Sequence, residues 1–155
     1  MRKIIIGVNK KLIVSNAVVC APGDKEGTEE AIYFFSNRLK TNGISIRGPA
    51  IVKFGLKRNE PDFSITREVF FQSTYKPGDK LPSNCESKGD MKIGPCMYAR
   101  VSGEGDNSRY AYEKISVHAY ENEIELSGES YMVMLEDEEN KIVIDIFIPI
   151  KEGTQ

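Results

Sequence analysis

Apolar residues along this chain follow two periods. In "IVIDIFIPI" (142–150) isoleucine takes every second position, Ile142, Ile144, Ile146, Ile148 and Ile150. That is the two-residue period of a strand with one buried face. "KLIVSNAVVCA" (11–21) and "MKIGPCMYARV" (91–101) read as two more strands. Helical spacing replaces alternation at Ala31, Ile32, Phe35 and Leu39, and again at Ala111, Tyr112, Ile115 and Ala119. Thr28 and Ser108 are suited to cap the N-termini of these helices through their hydroxyls. "NG" (42–43) and "NE" (122–123) are placed to end them, because Asn tolerates the left-handed backbone of a helix end. "ISI" (44–46) and "IEL" (124–126) then alternate as short strands. Hairpins are expected near "KRNEPD" (57–62) and at "EDEEN" (136–140).

The same order of elements occurs twice. Residues 11–52 set beside 91–132, at an ungapped offset of 80, give six identities: Ile13, Gly23, Ala31, Asn42, Ile44 and Gly48 with Ile93, Gly103, Ala111, Asn122, Ile124 and Gly128. Roughly two or three would arise from average residue usage. The fold expected is α+β: two strand–helix–strand–strand modules in pseudo-two-fold tandem, forming an antiparallel sheet with its helices on one face and a cleft between the halves. Residues 1–155 make one domain, with half-repeats at about 1–72 and 91–151. A linker rich in Pro, Gly, Ser and Lys joins them at 73–90.

Asp145 interrupts the isoleucine run, and a carboxylate is costly to bury without a partner. It has a counterpart. At an offset of 77, "REVFFQ" (67–72) lies against "IDIFIP" (144–149), so Glu68 meets Asp145 and Phe70 meets Phe147. Each strand then carries an acid and a Phe on one face. The isoleucine face should pack on a helix, and Val143, Asp145 and Phe147 should face the opposite way, toward the cleft. Tyr98 and Tyr131, also on strands, join them as candidate ligand-binding residues. An apolar, aromatic-flanked groove with a carboxylate suits a cationic, partly apolar ligand. A cation about 4 Å from the acid gains about 4 kcal/mol at intermediate dielectric, before desolvation, and aromatic faces also attract cations. Two other roles for Asp145 and Glu68 stay open: pairing with Lys or Arg on neighbouring strands, and facing solvent on an uncovered sheet.

Composition narrows the function further. The chain has 21 basic and 23 acidic residues, a net charge of −2. That balance gives no general attraction to nucleic acid. No segment is long enough to span a membrane and none resembles a signal peptide, so a cytoplasmic location is expected. Cys20, Cys85 and Cys96 are odd in number and lack CxxC spacing, which suits free thiols. With one histidine, His118, neither a zinc constellation nor a Ser-His-Asp triad is visible, and no metal is expected. "GEGDN" (103–107) is not followed by the Lys-Ser/Thr of a phosphate loop, and no cofactor is expected. Cys96 lacks a matched base and reads as a packed strand residue.

"IGPCMYARVSG" (93–103) and "VIDIFIPIK" (143–151) resemble the GyrI-like, or AraC-type effector-binding, domain, and the resemblance covers nearly the whole chain. It implies two strand–helix–strand–strand modules and a site for cationic, lipophilic ligands. An acid on the closing strand, typically Glu, contacts such ligands. Here the matching residue is Asp145, one methylene shorter, with Tyr98 and Phe147 at the family's aromatic positions. Many members carry a DNA-binding helix-turn-helix. The first strand here begins almost at Met1, which implies a stand-alone module. The expected function is non-enzymatic binding of a small hydrophobic or cationic molecule, without direct contact to nucleic acid or membrane. The alternative is a protein-interaction role, as an inhibitor or accessory factor of an enzyme or toxin. A third reading is hydrolysis of small electrophiles by Asp145.

Overall fold

A computed structural model describes residues 3–23, 27–59, 62–102, 108–136 and 142–151. The elements, in chain order, are β1 (Lys3–Cys20), α1 (Thr28–Thr41), β2 (Ile51–Asn59), β3 (Asp62–Gln72), β4 (Cys85–Ser102), α2 (Ser108–Glu121), β5 (Ser130–Glu136) and β6 (Ile142–Pro149). Among the described residues no helix is long and apolar enough to cross a membrane. The chain divides into two compact units, Ile13–Met91 and Met1–Leu12 with Lys92–Gln155.

In the Ile13–Met91 unit, β2 and β3 form a hairpin paired from Ile51 with Phe70 to Asn59 with Asp62. The end of β1 pairs along β3, Ala17 with Gln72 through Cys20 with Val69. Helix α1 buries Ala31, Phe35 and Leu39, spaced four apart, against Val18, Cys20, Ile44, Val69 and Phe71. Glu29 and Glu30 in its first turn and Arg38 and Lys40 in its last oppose the helix dipole favourably. Thr28 is not its cap. Gly27 holds that position without a side-chain bond, and the Thr28 hydroxyl accepts from Arg67 instead.

In the other unit β6 is flanked on both sides. It pairs with β4 from Cys96 with Pro149 to Ser102 with Val143. It pairs with β5 from Tyr131 with Phe147 to Glu136 with Ile142. Ile146 and Ile148 pack with Met97, Ala99 and Val101 of β4 and with Ala111 and Ile115 of α2. Each such isoleucine stabilises by about 1.5–3 kcal/mol on burial. Ile4 and Ile6 of β1 pack against the same cluster.

The expected α+β arrangement, an open sheet with helices on one face and a cleft between repeated halves, is overturned. The hydrogen-bonded strand order, β1-β3-β2-β5-β6-β4, closes on itself as an antiparallel barrel. The reading of an internal repeat on an open sheet falls with it. One physical reason is strand length. β1 and β4 each run 18 residues, well beyond the windows in which alternation is visible. Residues with positive φ interrupt that alternation inside both strands, Asn9 and Asn16 in β1, Gly89 and Gly94 in β4. Gly94 also brings two backbones together: a Cβ there would lie 2.9 Å from the Lys10 carbonyl oxygen.

Smaller corrections follow the same logic. "ISI" and "IEL" contribute single bridges, Ile46 with Ser73 and Leu126 with Ile150, rather than strands. The helix ends turn left-handed one residue after the Asn, at Gly43 and Glu123. Cys85–Asp90, read as linker, already belong to β4. The tip of the first hairpin (60–61), most of "EDEEN" (137–140), "GEGDN" (103–107) and the Ser108 side chain lie outside the described residues.

Candidate functional site

β6 has two chemically different faces. Ile144, Ile146 and Ile148 turn toward α2. Asp145 and Phe147 lie on the opposite face, because strand side chains alternate. Register then decides what they meet. On β4, Arg100 is directly opposite Asp145 and Tyr98 is opposite Phe147. On β5, Val133 is opposite Asp145 and Tyr131 is opposite Phe147. Four of the six predicted site residues, Tyr98, Tyr131, Asp145 and Phe147, are thereby gathered on three adjacent strands.

Both oxygens of the Asp145 carboxylate accept hydrogen bonds. Oδ1 accepts from the Tyr98 hydroxyl at 2.9 Å and from Arg100 Nε at 2.7 Å. Oδ2 accepts from Arg100 Nη2 at 2.8 Å. The two guanidinium bonds form the parallel fork in which arginine and carboxylate geometries match. The pair is lopsided in exposure: the Asp145 side chain is 10 % exposed and the Arg100 side chain 46 %. The buried acid therefore carries a half-exposed counter-ion. The Tyr98 and Phe147 rings lie beside it, with centroids 5.0 Å apart and tilted by 48°. Gly7 of β1 borders Tyr98, and a Cβ there would touch the ring at 3.4 Å.

Electrostatics follow from this geometry. Burial first, then the hydrogen bond to Asp145, pushes the Tyr98 hydroxyl up to about 12. The same carboxylate raises Arg100 above its ordinary value, chiefly through their hydrogen bonds. Tyr98 therefore stays neutral and donating, and Arg100 stays charged, across the physiological range. The open alternative of strand-to-strand ion pairing is what both acids display. Glu68 lies opposite Lys53, with their charged atoms 3.9 Å apart. It belongs to the Ile13–Met91 unit with Phe70, which is buried there. An exposed pair of that kind contributes at most about 1 kcal/mol.

Arg100 was missed by the sequence reading. The available signal was its spacing: two residues after Tyr98, it shares that residue's strand face. Cys96, read as a packed residue, is buried, and burial pushes its thiol up to about 11. A cavity of about 530 Å³ in the Ile13–Met91 unit is lined by residues that include Asn16, Arg47, Gln72 and Lys76. None of the predicted site residues lines it.

Comparison with known proteins gives a fold. No family model matches the chain. No curated protein matches it either. Among solved structures, it is similar to the crystal structure of the EcmrR C-terminal domain, with a TM-score of 0.57 and 12 % identity over 97 % of this chain and 98 % of that one. It is also similar to EcmrR in a cryo-EM structure of an EcmrR–DNA complex, with a TM-score of 0.62 and 10 % identity. That match covers 97 % of this chain, which spans 57 % of the EcmrR chain.

Proposed function

We propose that this protein is a small-molecule-binding module whose ligand meets the face formed by Tyr98, Asp145 and Phe147. The observation that carries the reading is a buried carboxylate paired with a half-exposed arginine. Asp145 is held among aromatic and apolar side chains, while its partner Arg100 reaches into solvent. A ligand with a cationic group and an apolar body would take the place of the guanidinium on Asp145 and lay its apolar part along the Tyr98 and Phe147 rings. A half-exposed arginine regains water as it leaves, and the ligand's own cation replaces its bonds to the carboxylate, which together offset the cost of displacing it. The resemblance of the β4 and β6 segments to GyrI-like domains supports a binding role.

The test is a thermal-shift and calorimetry series with lipophilic cations and their neutral isosteres, on wild type, Asp145→Asn and Arg100→Gln. A ligand that binds only the folded chain raises its melting temperature by mass action. Cations should stabilise the wild type, lose that effect in Asp145→Asn, and bind about tenfold more tightly to Arg100→Gln, where the internal competitor is gone. Cations that shift wild type and Asp145→Asn equally would sink the assignment.

A protein-interaction role is the second reading. It is favoured by the aromatic side chains that α1 and α2 expose, Tyr33 and Phe34 on one and Tyr110 and Tyr120 on the other.

A further inference from the structure

Cys20 is the last residue of β1 and Cys85 the first of β4. Their Sγ atoms lie 2.7 Å apart. Next to them, the Ala21 N–H donates to the Asn84 carbonyl at 3.0 Å, so the main chain itself holds the two cysteines side by side. Cys20 is buried beneath α1 with Phe35, Leu39 and Phe71, and Cys85 packs at the margin of that cluster, partly exposed. One thiol is therefore accessible to a reagent and the other is not, and the two are within bonding reach of each other.

We propose that Cys20 and Cys85 form a reversible intramolecular disulfide, a modification site independent of the Asp145 face. A low-molecular-weight disulfide such as glutathione disulfide is the oxidant. The partly exposed Cys85 thiolate attacks one sulfur of that molecule and forms a mixed disulfide, and one glutathione thiolate leaves. Cys20 gives its proton to the departing thiolate and attacks the Cys85 sulfur. The Cys20–Cys85 bond forms, the mixed disulfide breaks, and the second glutathione thiolate leaves and takes up the proton that Cys85 had released. Two protein thiols are oxidised and one disulfide is reduced to two thiols.

The local environment suits these roles. The hydrogen bond with Cys20 lowers the Cys85 thiol below its ordinary value, and the Arg38 cation adds to this while burial opposes it. Cys20 is shifted upward by the same hydrogen bond and by burial, so it is the thiol that keeps its proton. Nucleophilic attack by the more ionised, more accessible thiol is the expected order. Cys96 serves as an internal control, because it is buried and its thiol is pushed up to about 11.

The experiment equilibrates the full chain in buffers of graded reduced and oxidised glutathione, quenches with acid, alkylates under denaturing conditions and maps the peptides by mass. The expected result is a Cys20–Cys85 linked fragment lighter by two hydrogens, complete loss of alkylation at both residues, and full reversal by dithiothreitol. Cys96 should be alkylated throughout. Cys85→Ser should abolish the link and leave Cys20 alkylated. Alkylation of both cysteines of the wild type in the most oxidising buffer, or a link that involves Cys96, would overturn the proposal.

Discussion

Tyr98 and Arg100 share one carboxylate, and the sharing has a pH signature. The Tyr98 hydroxyl is raised to about 12 in the folded chain, against about 10 when unfolded. Above pH 10 the unfolded chain releases this proton while the folded chain keeps it. The contribution to stability is therefore fully present below about pH 10 and is lost as pH rises through about 12. Urea unfolding across that window should show a steeper fall for wild type than for Tyr98→Phe, and tyrosinate absorbance should show one late-titrating group missing in the variant. Identical slopes would mean that Tyr98 gains no protection from its setting. Asp145 was legible in the sequence because a charge inside an apolar alternation needs an explanation. Arg100 was not, because an arginine on a strand is ordinary until register is known. Register depends on which strands pair, and alternation alone does not report that.

At the scale of an element, β6 illustrates how much alternation does report. Period places Ile142 and Ile146 on the same face, and position along the strand then separates them: Ile146 is buried while Ile142, at the start of β6, is 59 % exposed. Truncation should separate them. Ile146→Ala should cost about 2–5 kcal/mol in a denaturant titration, through lost burial and the cavity left beneath α2. Ile142→Ala should fall within about 0.5 kcal/mol of wild type. Equal effects would contradict this difference in burial between the middle and the start of the strand. Both helices were legible for the same reason, since Ala31, Phe35 and Leu39, and Ala111, Ile115 and Ala119, are the buried positions. Their ends were less so. Thr28 is a good cap by composition, yet Arg67 from β3 claims its hydroxyl, a partner distant in sequence.

At the scale of the molecule, closure of the strand order was hidden. It depends on 18-residue strands that turn through Asn9, Asn16, Gly89 and Gly94, and each of these residues reads locally as a break. The strand pairing around β6 also bears on what happens before folding is complete. "IVIDIFIPI" joins five isoleucines to a phenylalanine, a composition suited to stacking into fibrils. In the native chain both of its edges are occupied, by β4 and by β5. During synthesis or refolding they are not. Asp145 then acts as a gatekeeper, since a row of stacked strands would align its like charges, and Pro149 withholds a backbone donor near the end. Synthetic peptides of residues 142–150 test this apart from the fold. The native peptide should stay soluble at neutral pH under conditions where its Asp145→Asn counterpart forms thioflavin-positive fibrils. The acid that anchors Arg100 in the finished protein would thus also keep the unfinished one from associating with its own copies.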